Sequence, residues 1–215
     1  NQVIKTLVMA DFLTISAWGF VNPILGVFVV EKISGAGLET VGFATSLYWI
    51  VKSIFQVPIS RYLDRSVSES DDFYSMVIGT LLVALVPVGY IFVESTAQFY
   101  LLQIVSALGD AMAVPAWYAI FTRHVDKHKE SFEWTLNSVS VGVGAAWSAA
   151  LAGFISAHFG FTPVFILTTL FILAGGTALL SLTTNLTPKK KYSPIPPFLT
   201  VPTERRDHQK QGLIK

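Results

Sequence analysis

The chain has 215 residues, 52% of them hydrophobic and 13% charged, where a soluble domain carries about a quarter charged residues. So little charge gives no support to a soluble or nucleic-acid-binding class, and the lack of cysteine excludes disulfides and thiolate metal sites. The net charge of +1 is uninformative as a total, although the placement of the charges is not.

A bilayer core about 30 Å thick needs roughly 20 apolar residues in a helix rising about 1.5 Å per residue. Six stretches meet this need in chain order: residues 6–30, 41–60, 73–93, 97–121, 134–157 and 161–182. The run from Val77 to Val86 does not alternate as a membrane-barrel strand does, whereas helices satisfy their own backbone in lipid. The expected fold is all-α, a polytopic membrane bundle of six transmembrane helices over residues 1–186. The connections are short, so neighbouring helices run antiparallel. Residues 187–215 are basic and rich in proline, as in an extended cytoplasmic linker or tail. The chain opens at Asn1, without an initiator Met, and its first apolar stretch is too long for a signal peptide. It is expected to be part of a longer protein.

The loops give the orientation. Lys5, Arg61, Arg65, Arg123, Lys127, Lys129 and the seven basic residues of the tail all fall at one end of the bundle. The opposite end has only Lys32, and Lys52 lies within the second helix. Thirteen against one places both termini in the cytoplasm, which requires an even number of spans. An integral, multi-pass protein of the plasma (inner) membrane is expected.

Polar residues within the spans mark buried or wet surfaces, because they are costly in hydrocarbon. On helix 1, Asp11, Thr14, Trp18 and Asn22 follow at intervals of three, four and four, and so share one face. Helix 2 carries Trp49, Lys52, Ser53 and Gln56 in the same manner. Helix 4 carries Gln103, Asp110 and Trp117 at intervals of seven, with Ser106 beside them. Helix 5 carries Asn137, Ser140, Gly144, Trp147 and Ser148. Helices 3 and 6 have no ionisable residue in their spans. The pattern repeats after three helices, as in a three-plus-three inverted repeat. A shift of 92 residues places Pro23 on Pro115 and Asp11 on Gln103. The expected result is a water-accessible cavity lined by helices 1, 2, 4 and 5, with helices 3 and 6 facing lipid. Taken singly, Asn22, Gln56 and Asn137 are better read as interhelical glue. Asp11, Lys52 and Asp110 are harder to dismiss, since a charge at mid-bilayer costs about 2.5–3.5 kcal/mol. Lys52 and Asp110 lie at similar depth and are placed to pair.

At the end of helix 2 the chain reads Pro58-Ile59-Ser60-Arg61-Tyr62-Leu63-Asp64-Arg65. This resembles the loop motif of the major facilitator superfamily, with Ser60 at the glycine position and Asp64-Arg65 matching. Glu69, Asp71 and Asp72 follow where the family has basic residues. The stretch Gln103 to Gly109 is similar to the family's fourth-helix motif, with Gln103 in place of arginine and Ala107 in place of the first glycine. No Gly-Pro pair in helix 5 gives the antiporter signature. The resemblance implies two six-helix halves joined by a cytoplasmic linker, this chain being the N-terminal half. It also implies a gating latch at Ser60, Asp64 and Arg65.

The function expected on these grounds is secondary active transport of a small organic solute by alternating access. Its partners are the solute, the bilayer and a second six-helix half, from the same chain or another copy; no cofactor or nucleic acid is implied. Trp18, Asn22, Trp49, Gln56, Gln103, Trp117, Asn137 and Trp147 are the candidate cavity residues. Asp11, Lys52 and Asp110 are the candidates for ion coupling, since a carboxyl in a low-dielectric site can carry a proton. Two other classes stay open. Gly109-Asp110 is similar to the Gly-Asp of intramembrane aspartyl proteases, without their fuller motif. A non-catalytic scaffold needs only packing residues. No catalytic Gly-x-Ser-x-Gly or His-Glu-x-x-His is present. His124 and His128 have metal-ligand spacing but no third ligand in view, so no metal is expected.

Overall fold

Six helices form over the six apolar stretches, as α1 (Gln2–Lys32), α2 (Leu38–Arg65), α3 (Glu69–Phe92), α4 (Thr96–His124), α5 (Glu130–Phe159) and α6 (Phe161–Leu180). The structure is a computed structural model that describes residues 1–66 and 68–182. The proline-rich segment 187–215 lies outside the described residues. Among the described residues there is no strand, only an isolated parallel bridge between Ser34 and Ser95 that ties the α1–α2 loop to the start of α4.

Five of the helices are long and apolar enough to cross a membrane. The expectation that all six qualify on apolarity is corrected for α2. It has the length, 28 residues, but Lys52 and Gln56 interrupt its middle and Arg61, Asp64 and Arg65 crowd its end.

The helix ends follow from local chemistry. Ser95 and Gln98 cap α4 reciprocally, the Ser95 hydroxyl accepting from the Gln98 amide and the Gln98 side chain accepting from the Ser95 amide. Ser68 caps α3 by accepting from the Ser70 amide at 3.1 Å. Gly160 separates α5 from α6 with φ at 79°, a left-handed conformation that costs glycine little.

The packing shows the repeat. α1 lies against α5 and α6, α4 lies against α2 and α3, and α3 meets α6, while α1 and α4 barely touch. Exchanging the first three helices for the last three maps this arrangement onto itself. The helix boundaries obey the 92-residue shift as well. It carries the end of α1 at Lys32 onto the end of α4 at His124, and the starts of α2 at Leu38 and α3 at Glu69 onto Glu130 and Phe161.

Small residues bring the tightest pairs together. A Cβ on Gly79 of α3 would lie 2.4 Å from the Gly109 carbonyl of α4, and one on Gly144 of α5 would lie 2.5 Å from Ser16 Oγ of α1. Two apolar cores close the bundle at its ends. One joins Ile4, Leu7, Phe73, Met76, Ile120 and Leu179 near the N-terminus; the other joins Phe28, Ile33, Val86, Tyr90, Phe99 and Phe165 at the opposite end. Because α1 and α4 stand apart, the space between these cores is not filled by their side chains. α2 and α5 flank that space and are the least embedded helices. They expose apolar residues outward, among them Ile50 and Ile54 on α2 and Val139 and Val143 on α5.

Candidate functional site

A cavity of about 740 Å³ occupies the gap between α1 and α4. Its α1 wall is Asp11, Thr14, Trp18 and Asn22, the stripe read from the sequence. α2 contributes Thr45, Tyr48, Trp49 and Lys52, and α4 contributes Gln103, Ser106, Asp110 and Trp117. α5 adds Trp134, Asn137 and Ser138. The helices expected to face only lipid also take part. α3 supplies Met76, Thr80, Val83 and Tyr90, and α6 supplies Leu179. The cause is the separation of α1 from α4, which leaves α3 and α6 as the floor of the gap.

At the centre the charges are organised. Lys52 Nζ lies 3.6 Å from an Asp110 oxygen and donates to the Tyr48 hydroxyl at 3.0 Å. The Tyr48 hydroxyl donates in turn to Asp110. Lys52 also stands over the rings of Tyr48 and Trp49, 5.3 and 5.2 Å from their centroids. The side chains of Lys52 and Asp110 are only 12% and 20% exposed, so each partner offsets the other's desolvation. Tyr48 was not among the residues singled out from the sequence. Its signal is its position, one helical turn before Lys52 on the same face.

Asp11 sits apart from this pair. It accepts from Asn137 Nδ2 at 3.0 Å and has no ion-pair partner among the described residues. No hydrogen bond joins Asp11 to Asp110 among the described residues, so the two carboxyls do not form the shared-proton dyad of aspartyl enzymes. Gln103, at the position where the resemblance has an arginine, is buried and donates to the Tyr90 hydroxyl at 2.9 Å.

Two expected cavity residues lie elsewhere. Trp147 packs edge-on against Phe20 with centroids 5.4 Å apart, and beside Phe171 at 5.6 Å. The close approach of α5 to α1 at Gly144 turns this part of α5 toward α6 rather than the gap. Gln56 is half-buried and off the cavity, because the α2 wall ends at Lys52.

The Ser60 hydroxyl donates to the Gln56 carbonyl at 2.7 Å. Asp64 and Arg65 form the exposed last turn of α2, not a loop. The acidic residues beyond them take up another partner. Arg123, at the end of α4, donates through Nε to Glu69 at 2.8 Å and through a terminal nitrogen to Asp72. Glu69 and Asp72 are almost fully buried. His124 Nε2 is 3.8 Å from Glu69. α4 ends at His124 and His128 lies beyond it with φ at 68°, so the two do not share a helical face.

Residues 7–210 match the family model described as Major Facilitator Superfamily. The chain belongs to the Major Facilitator Superfamily. Solved structures of similar fold include the POT family transporter PepTSo, with a TM-score of 0.74 at 13% identity over 90% of this chain. Another is an auto-inhibited POT family peptide transporter, with a TM-score of 0.67 at 10% identity over 91%. A third is a mutant of the peptide transporter POT in complex with sulfate, with a TM-score of 0.71 at 15% identity over 96%. At such low identity these TM-scores establish the shared fold alone. This superfamily member spans about 40% of the length of those transporters, corresponding to their N-terminal half. Among curated proteins, none matches it by sequence. Family and apolar helices together make it an integral, multi-pass membrane protein.

Proposed function

We propose that this chain is half of a secondary transporter that moves a small organic solute by alternating access. One observation carries the reading. A cavity large enough for an organic molecule, lined by aromatic rings and holding Asp11, Lys52 and Asp110, lies between the two three-helix repeats of a superfamily member. Its open side is bordered by α2 and α5, whose outward faces are apolar. A second six-helix half, in the same chain or another copy, closes it. Rocking of the two halves then exposes the cavity to one side at a time.

In this reading Trp18, Asn22, Trp49, Gln103, Trp117 and Asn137 contact the solute. Asp11, Lys52 and Asp110 couple its movement to an ion, with the proton as the coupling ion. Ser60, Asp64 and Arg65 gate the cytoplasmic side, and both termini lie in the cytoplasm of the plasma (inner) membrane. The test is solute uptake by the full-length protein in proteoliposomes under an imposed proton gradient. Asp110→Asn, compared at equal amounts of reconstituted folded protein, should abolish coupled uptake. Unchanged uptake would restrict Asp110 to a structural role, and no uptake of any solute would remove the transporter reading.

A further inference from the structure

Three side chains bring formal charge to the cavity, and two of them are spoken for. Lys52 and Asp110 satisfy one another through a direct contact and through the Tyr48 hydroxyl. Among the described residues Asp11 has no cation beside it. It accepts a hydrogen bond from the Asn137 amide nitrogen, at 3.0 Å.

That hydrogen bond fixes how Asn137 is oriented. With Nδ2 turned to the carboxylate, Oδ1 faces away from it, and Oδ1 is buried with no partner. Asn137 is only 8% exposed. A buried acceptor left unmatched is costly, and an ionised carboxylate without a counter-charge costs more. Asp11 lines the cavity and brings its carboxylate there held only by the Asn137 amide. A carboxylate so placed calls for a positively charged group with N–H donors.

The surroundings select among cations. No cluster of three metal-ligating side chains occurs among the described residues, so a bare metal ion lacks its ligands. The cavity measures about 740 Å³, a volume that suits an organic molecule. Aromatic surface adjoins the acceptors. Trp134 precedes Asn137 by one turn of α5 and stands edge-on to Trp117, with centroids 6.2 Å apart. Trp18 lies two turns from Asp11 on α1, and all three tryptophans face the cavity. Such rings hold an apolar body and also stabilise an adjacent cation.

We propose that Asp11, supported by Asn137, receives the ammonium group of an organic amine whose apolar body lies among the tryptophans, and that amines of this kind are the solute class. The proposal rests on the transporter reading for the word solute, but the binding site stands on its own geometry.

Tryptophan fluorescence of the purified full-length protein, titrated at neutral pH, tests it. Three probes share one shape: phenethylamine is a cation, 2-phenylethanol is neutral and 3-phenylpropionate is an anion. The expected result is saturable quenching by phenethylamine, at least tenfold weaker quenching by the alcohol and none by the anion. Asp11→Asn should weaken phenethylamine at least tenfold, and Asn137→Ala by several-fold. The three-probe series on the unaltered protein decides the matter even if a variant fails to fold. No binding of phenethylamine, equal binding of the three probes, or undiminished binding by a folded Asp11→Asn protein overturns the proposal. Uptake of radiolabelled phenethylamine into proteoliposomes separates the two readings. Charge-selective binding without uptake retains the amine site and removes transport. Transport restricted to neutral or anionic solutes retains the transporter and removes the amine site.

Discussion

Lys52 and Asp110 form a coupled unit whose strength can be bracketed from their 3.6 Å separation. Two unit charges at that distance attract by about 1.2 kcal/mol at the dielectric constant of water and by about 4.6 kcal/mol at an effective value of 20. Low exposure favours the upper end, and the cost of desolvating both groups lowers the net. A coupling of about 1–3 kcal/mol is expected. The experiment is a double-mutant cycle with Lys52→Met, Asp110→Asn and the pair together. Stability would be followed by reversible unfolding of the full-length protein in detergent micelles. Each single change leaves a buried charge or dipole without its counterpart and should destabilise by about 3 kcal/mol. The double variant should be more stable than the sum of the singles by the coupling energy. It should fold and yet fail to transport. Additivity to within about 0.5 kcal/mol would refute the reasoning and leave each residue free to serve a ligand alone.

Gly79→Ala places a methyl group 2.4 Å from the Gly109 carbonyl and 2.7 Å from the Ala113 nitrogen. It should cost about 1–3 kcal/mol in the same unfolding assay, whereas Gly142→Ala meets nothing within 4 Å and should be near neutral. Arg123→Gln removes the guanidinium from buried Glu69 and Asp72. It should destabilise by about 2–4 kcal/mol, a range trimmed because Arg123 is partly open to solvent. Arg123→Lys should restore only part of the loss, since an ammonium lacks the two-pronged geometry. The orientation can be read by labelling, because this chain has no cysteine of its own. A membrane-impermeant maleimide should reach Ser34→Cys from outside intact cells and Lys127→Cys only in inside-out vesicles.

The sequence carried the helices and their polar faces, because intervals of three and four residues fix which side chains align. Asp11, Trp18, Trp49, Asp110 and Trp117 reached the cavity on that basis. Alignment on a face does not say how far a helix is rotated or how closely it packs, and Trp147 shows the consequence. It shares the Asn137 stripe, but the approach of α5 to α1 at Gly144 turns it into a packing seam. Tyr90 escaped notice because a helix without charges was expected to face lipid, whereas its hydroxyl meets Gln103 within the bundle. The partner of Glu69 and Asp72 was also out of reach. Arg123 is more than fifty residues away in sequence, and only the packing of α3 on α4 brings it near. Glu69 and Asp72 stand where the resemblance has basic residues, and Arg123 of α4 supplies their counter-charge.

α2 is anchored almost wholly by α4, and it is the one helix of the six that is not apolar enough to be at home in lipid alone. During synthesis α2 emerges first, with Lys52 at its middle. Asp110 is made nearly sixty residues later. Until then the lysine has no counter-charge, and partition of α2 into the bilayer is opposed. Partition of α2 together with α4 would carry Lys52 into lipid as half of a neutralised pair.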